Sequence, residues 1–115
     1  MKKFALFVFN GDPMCFIHVL LNAIDMKNKG HEAQIILEGQ SVKLVPDLYQ
    51  QGNPLNKLWE KALDLNLVKG VCKACSHKLG TIEDAKKHDL DLLEGMSGHP
   101  AMSDYREQDF EIITF

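Results

Sequence analysis

Three cysteines and five histidines are the residues of this 115-residue chain best suited to covalent or metal chemistry. Cys72 and Cys75 are separated by two residues, which is the spacing of a redox dithiol. A helix N-terminus, Lys73 or a protonated His77 would favour a thiolate here, and a thiolate can attack sulfur or exchange disulfides. We therefore predict that Cys72 is the reactive thiol, that Cys75 is its resolving partner and that His77 assists them. The alternative is that both cysteines are small apolar residues of a core.

Zinc binding is a second interpretation of the same residues. Cys72, Cys75 and His77 would supply three ligands, and Cys15 or His99 would supply the fourth. A strong zinc signature has a second ligand pair at a defined spacing, and this sequence has none. Neither glycine-rich phosphate-binding fingerprint is present. The sequence therefore predicts no metal and no other cofactor.

Short apolar runs alternate with helical patterns along the chain. The first run, residues 4–9, is apolar throughout, which is typical of a strand buried on both faces of a parallel sheet. Asp12 can cap a helix that begins at Pro13, and Gly30 can end it. We predict strands over residues 4–9, 32–37, 68–72, 90–93 and 110–115, helices over 13–28, 54–66 and 101–108, a helical turn within 40–53 and a short helix or helical loop within 76–87. These elements predict a single α/β domain over residues 1–115, with helices on both sides of a five-stranded, mostly parallel sheet in a three-layer α/β/α architecture.

The carboxyl ends of the predicted strands place the candidate residues together. In an open parallel sheet, ligands bind beyond those ends. The predicted order of elements brings all three cysteines and two of the five histidines to that edge. The candidate ligand-binding residues there are Asn10, Gly11, Asp12, Cys15, Gly39, Lys73 and His99.

Composition limits the classes of partner that this chain can have. Apolar residues make up 45% and charged residues 25%, and the formal net charge is −3 at pH 7. The sequence contains no run of lysine or arginine, which argues against nucleic-acid and anionic-membrane partners. The most apolar helical stretch, residues 14–24, is shorter than the roughly 20 residues of a membrane helix. We therefore expect a cytoplasmic protein with no nucleic-acid or membrane partner.

Several short motifs follow one another in a characteristic order. They are the Gly11-Asp12-Pro13 turn, Lys29-Gly30-His31-Glu32, Leu37-Glu38-Gly39 and Gly70-Val71-Cys72, followed by an aromatic-rich last strand. In this order the chain resembles the DsrE/DsrF-like family of small sulfur-relay proteins, also called the YchN-like fold, over nearly its whole length. The resemblance implies homo-oligomers, often trimers or hexamers, and a persulfide on the cysteine at the tip of the later strand, which Cys72 matches. Relatives often continue with Gly-Asn, whereas Lys73-Ala74-Cys75 follows here.

The leading functional hypothesis is therefore a cytoplasmic sulfur carrier or sulfurtransferase-type protein. Cys72 would take a sulfane sulfur from a donor protein, and Cys75 would receive it or release it by forming a disulfide. The alternative is a non-enzymatic, oligomeric protein that holds a small ligand or a metal in the same crevice. A third hypothesis is a general dithiol oxidoreductase with a reversible disulfide between the two cysteines.

Overall fold

The strands form one continuous sheet. The computed structural model describes residues 1–115, and its strands are β1 (Lys3–Val8), β2 (Glu32–Leu37), β3 (Val68–Cys72), β4 (Leu92–Leu93) and β5 (Glu111–Thr114). Their order in the sheet is β4-β3-β2-β1-β5, and every neighbouring pair is parallel. The predicted α/β fold is therefore confirmed, with a sheet that is parallel throughout.

Helical segments connect the strands and cover both faces of the sheet. They are α1 (Pro13–Asn28), a 3₁₀ helix (Gly39–Leu44), α2 (Val45–Leu48), α3 (Asn56–Asp64), α4 (Lys73–Lys78), α5 (Ile82–Lys87) and α6 (Met102–Glu107). No helix of the chain combines the length and the apolar character needed to cross a bilayer.

The alternating side chains of the strands build two cores. The larger core joins β1 and β2 to α1, α2 and α3, and its largest buried side chain is Trp59. The smaller core lies on the opposite face, where Phe7 packs edge-on against Tyr105 of α6, and Phe110 packs against the same tyrosine. Both faces of β1 and β2 are therefore covered, as the continuous apolar character of these strands requires.

The register between β2 and β3 brings the ends of these two strands level. Leu37 pairs with Val71, so that the next residues along each strand, Glu38 and Cys72, follow at equivalent positions. The register shifts between Ile35 and Ile36. On the other side of β3, Gly70 lets β4 approach, because a β-carbon at this position would clash with the carbonyl oxygen of Asp91. Cys72 therefore ends a central strand, with neighbouring strands on both sides.

Candidate functional site

Four side chains converge at the carboxyl edge of the sheet. The carboxylate of Glu38, the sulfurs of Cys72 and Cys75 and a ring nitrogen of His99 all lie within 4.8 Å of one another. Glu38 follows β2, Cys72 ends β3, Cys75 lies in the first turn of α4, and His99 precedes α6. We call these four residues the thiol cluster.

Cys72 is the most enclosed member of the thiol cluster. Its side chain is buried, and its Sγ lies 3.1 Å from Nδ1 of His99. The residue also caps α4, because its sulfur accepts a hydrogen bond from the backbone N–H of Cys75 at 3.3 Å. A polar contact of 3.8 Å joins the thiol to the carbonyl oxygen of Gly98.

The environment of Cys72 opposes ionisation of the thiol. Burial is the largest cause, and the neighbouring thiol of Cys75 and carboxylate of Glu38 add to it, so that the pKa of Cys72 is raised to about 12. This is the opposite of the thiolate that the sequence predicts at this position. Lys73 does not compensate, because its Nζ pairs with Glu94 at 3.1 Å. The helix N-terminus contributes an N–H group, but this effect is smaller than the cost of burial.

Cys75 is the more accessible of the two thiols. It is half-buried, and its Sγ accepts a hydrogen bond from the backbone N–H of Gly39 at 3.3 Å. The same sulfur lies 3.8 Å from Nδ1 of His99. Gly39 has a left-handed φ of 54°, and a β-carbon there would lie 3.2 Å from the carbonyl oxygen of Phe9. Gly39 therefore contributes a backbone donor, in a conformation that favours glycine.

A tight turn holds His99 against the two cysteines. Met96 and His99 exchange two backbone hydrogen bonds of 2.9 and 3.0 Å, and the central residues Ser97 and Gly98 have φ values of 52° and 86°. Two successive positive φ values are the signature of a type I′ turn. The N–H of Ala74 donates a hydrogen bond of 2.9 Å to the carbonyl oxygen of Gly98. This bond ties the turn to the start of α4 and thereby positions the imidazole.

Glu38 is a site residue whose role the sequence analysis missed. Its side chain is 9% exposed, and Oε1 lies 3.8 Å from Nδ1 of His99. Burial raises the pKa of Glu38, although the attraction of His99 opposes the shift. The available signal was an acidic residue placed directly after a buried strand, at the edge where ligands bind. Nearby, the buried hydroxyl of Ser41 contacts the carbonyl oxygens of Val8 and Glu38 at 2.7 and 2.8 Å, which ties the ends of β1 and β2 together.

The residues that follow β1 shape the edge of the sheet and lie outside the thiol cluster. Asn10 Oδ1 accepts a hydrogen bond from the N–H of Asp12, and Asp12 Oδ1 caps α1 through the N–H of Met14, both at 2.8 Å. Gly11 lies against the backbone of Gln40, where a β-carbon would stand 2.8 Å from the carbonyl oxygen.

Two other predicted site residues also lie outside the thiol cluster. Cys15 is half-buried on α1 and is not among the four clustered side chains. His77 is exposed in the last turn of α4, and no hydrogen bond joins its ring to either sulfur. The structure thus brings Cys72, Cys75 and His99 together, whereas His77 points away from the chemistry predicted for it.

Comparison with known proteins gives relatives without an assigned activity. No family model matches the chain. The chain is 36% identical over 97 residues to the uncharacterized protein MJ0733 of Methanocaldococcus jannaschii, which covers 84% of this chain and 77% of the relative. An uncharacterized protein of Archaeoglobus fulgidus is 38% identical over 56 residues, or 49% of this chain and 90% of the relative. A solved structure, the conserved protein of unknown function BT1422 from Bacteroides thetaiotaomicron, has the same fold, with a TM-score of 0.69 at 18% identity over 98% of this chain and 95% of that one.

Proposed function

This chain belongs to the family of the Methanocaldococcus jannaschii protein MJ0733, and we propose that it carries sulfane sulfur as a persulfide on the thiol pair of Cys72 and Cys75. The observation that carries the proposal is the pairing of a half-buried thiol, Cys75, with a fully buried one, Cys72, their sulfurs within 4.8 Å of each other. The resemblance of the sequence to the DsrE/DsrF-like sulfur-relay proteins supports the same chemistry.

The environments of the two thiols assign them different roles. Cys75 is accessible to a donor, and the N–H of Gly39 stabilises negative charge on its sulfur. Cys72 is buried and, with a pKa of about 12, remains a neutral thiol near pH 7. We therefore assign Cys75 as the thiol that first receives sulfur and Cys72 as the second thiol, which reverses the order expected from the sequence.

Sulfur transfer to Cys75 is a thiol exchange in which atoms balance. His99 Nδ1, 3.8 Å from the sulfur, takes the proton of Cys75, and the resulting thiolate attacks the outer sulfur of a donor persulfide. A new S–S bond forms on Cys75 while the S–S bond of the donor breaks. The donor leaves as a thiolate and recovers the proton from the imidazolium, so that no external oxidant or reductant is needed.

The sulfur can leave by either of two routes. An acceptor thiolate can attack the outer sulfur of the persulfide, which repeats the exchange and regenerates the Cys75 thiol. Alternatively, Cys72 can attack the Sγ of Cys75, which forms a disulfide and releases the outer sulfur as hydrogen sulfide. The second route oxidises the thiol pair and requires a reductant, such as a cellular thiol, for the next cycle.

Such a carrier works where thiols are kept reduced, and we therefore propose a cytoplasmic location. Its partners would be a sulfur donor and an acceptor protein, with no nucleic acid involved. The resemblance to the DsrE/DsrF-like family further supports a homo-oligomer, a trimer or a hexamer.

Intact-protein mass spectrometry tests the proposal. Reduced, metal-free protein is incubated with a small-molecule persulfide, alongside Cys72→Ser, Cys75→Ser and Cys15→Ser. We expect a gain of one sulfur, reversed by reductant, that is lost in Cys75→Ser and retained in Cys72→Ser and Cys15→Ser. An adduct that depends on Cys72 would overturn the assigned order, and no adduct on a protein with free thiols would overturn the function.

A non-enzymatic binding function at the same edge is the second candidate. It is favoured by the buried carboxylate of Glu38, which the sulfur exchange does not use.

A further inference from the structure

We propose that Glu38, Cys72, Cys75 and His99 form a four-ligand site for Zn²⁺. All four ligand atoms lie within 4.8 Å of one another. From Nδ1 of His99 the distances are 3.1 Å to Cys72 Sγ, 3.8 Å to Cys75 Sγ and 3.8 Å to Glu38 Oε1. With Zn–S of about 2.3 Å and Zn–N or Zn–O of about 2.0–2.1 Å, tetrahedral ligand atoms stand roughly 3.3–3.8 Å apart. Side-chain movements of up to about 1 Å would bring all six pairs of ligand atoms into this range.

Hydrogen bonding within the thiol cluster does not account for the buried carboxylate. The 3.8 Å between Glu38 Oε1 and His99 Nδ1 exceeds a hydrogen bond, and no other side-chain donor reaches this carboxylate. Buried charged groups in proteins are paired or coordinate metals. Glu38 and the two thiols face a single imidazole, and a divalent cation at their centre would offset most of the negative charge that these three groups carry when deprotonated.

The backbone also prepares both sulfurs to act as metal ligands. The N–H of Cys75 points at the sulfur of Cys72, and the N–H of Gly39 points at the sulfur of Cys75, each at 3.3 Å. Amide donors of this kind stabilise metal-bound thiolates and fix the orientation of the ligands. Two sulfurs, one imidazole and one carboxylate are a ligand set suited to zinc, whereas magnesium and calcium prefer oxygen ligands throughout.

The proposed site is open to solvent on one side. Its ligands also differ from those that the sequence spacing favours. The side chain of His99 is 41% exposed, so that the metal can enter beside the imidazole. His77, the nearest histidine in sequence to the cysteine pair, lies exposed at the end of α4 and is not a ligand. The third and fourth ligands are instead Glu38, which directly follows β2, and His99 of the type I′ turn.

This inference goes beyond sulfur carriage, and it also sets a condition on it. Zinc binding and persulfide formation use the same two sulfurs, so that a metal-loaded chain has no free thiol for a donor. Removing the metal would release both thiols together, because they would share one ion.

The test titrates reduced, chelator-treated protein with Zn²⁺ alone and follows binding by calorimetry, with Co²⁺ as a spectroscopic substitute. We expect one ion per chain, and a Co²⁺ thiolate absorption band that weakens in Cys75→Ser. Glu38→Gln and His99→Asn are expected to weaken binding by about tenfold or more. His77→Asn and Cys15→Ser serve as matched controls and are expected to bind as the wild type does. Circular dichroism establishes that each variant is folded.

Two results would overturn the zinc site: the absence of stoichiometric binding, or binding that is insensitive to Glu38→Gln and His99→Asn. The outcome is separable from that of the sulfur experiment, which uses metal-free protein. Persulfide formation without zinc binding would refute only the metal site. Zinc binding without persulfide formation would refute only the carrier function.

Discussion

Replacing Gly98 by alanine tests whether the type I′ turn is a rigid support for His99. Gly98 has a φ of 86°, and a β-carbon there would lie 3.1 Å from the β-carbon of Ala74. An alanine held at such a φ raises the free energy of the folded state by roughly 1–2 kcal/mol. The tight contact adds overpacking, for which about 1 kcal/mol is at the low end of the usual range. We therefore expect Gly98→Ala to lower the free energy of unfolding by about 2–3 kcal/mol.

Gly30 provides the matched control because the two glycines differ mainly in their surroundings. It also has a φ of 86°, but a β-carbon there would meet nothing within 4 Å. Gly30→Ala should therefore show the conformational cost alone, roughly 1–2 kcal/mol. Urea denaturation of both variants, as metal-free reduced protein, measures the difference. Zinc affinity then reports the position of His99, and we expect it to fall in Gly98→Ala only.

One outcome for Gly98→Ala and Gly30→Ala would contradict this expectation. If both variants lose the same stability and bind zinc equally, the contact between Gly98 and Ala74 does not constrain the turn. The geometric account of how His99 is held would then be refuted.

Two further predictions concern the edge of the sheet and the smaller core. Ser41→Ala removes the hydroxyl contact to the carbonyl oxygens of Val8 and Glu38, which each keep one backbone hydrogen bond. Urea denaturation should therefore show that the free energy of unfolding falls by roughly 0.5–1.5 kcal/mol; an unchanged midpoint would count against this role. Burial raises the pKa of Tyr105 from 10.0 to about 12. Between these pH values the tyrosine ionises in the unfolded chain but stays neutral in the folded one, so the free energy of unfolding falls by up to roughly 2–3 kcal/mol as the pH rises. The unfolding free energy of Tyr105→Phe should not show this alkaline decline. Equal pH profiles for the variant and the wild type would contradict the raised pKa of Tyr105.

The fold was largely predictable because its main elements carry strong local patterns. The bounds 32–37 and 68–72 agree with β2 and β3, and α1 begins at Pro13, where Asp12 caps it. The differences arise from turns whose hydrogen bonds depend on the folded chain. The predicted strand 90–93 is shortened to Leu92–Leu93, because the N–H of Leu90 bonds to the carbonyl oxygen of Ala85 and closes the end of α5.

Two further segments, the start of the predicted helix at 54–66 and residues 40–53, were also predicted only in part. The predicted helix at 54–66 begins at Asn56, because Asn53 Oδ1 accepts a hydrogen bond from the N–H of Leu55 and holds the preceding residues in a turn. Residues 40–53, predicted as a loop with a helical turn, contain all of the 3₁₀ helix except Gly39, and all of α2. The short helical segment after β2 matters for function, because it sets the direction of the N–H of Gly39 toward Cys75.

The candidate site was only partly predictable, and the reasons are physical. Parallel topology alone places Cys72, Cys75 and His99 at one edge. The contribution of Glu38 depends on the register that sets Leu37 opposite Val71, which no local pattern reveals. Sequence proximity favoured His77 over Glu38 as a partner of the thiols.

The ionisation of Cys72 shows how burial decides which chemistry this edge supports. A helix N-terminus and a nearby lysine are visible in the sequence and favour a thiolate, but the burial that outweighs them is visible only in the structure. A thiol with a pKa of about 12 is a poor first nucleophile near neutral pH, which is why the accessible Cys75 is the better acceptor of sulfur. The same thiol is not a poor metal ligand, because a bound zinc ion displaces the thiol proton and replaces it with a larger positive charge. Glu38, Cys72 and Cys75 around the imidazole of His99 can therefore exist in two states of low net charge. In one state these groups hold protons, and in the other they hold a metal ion. In this account, metal availability decides whether the thiols are free to carry sulfur.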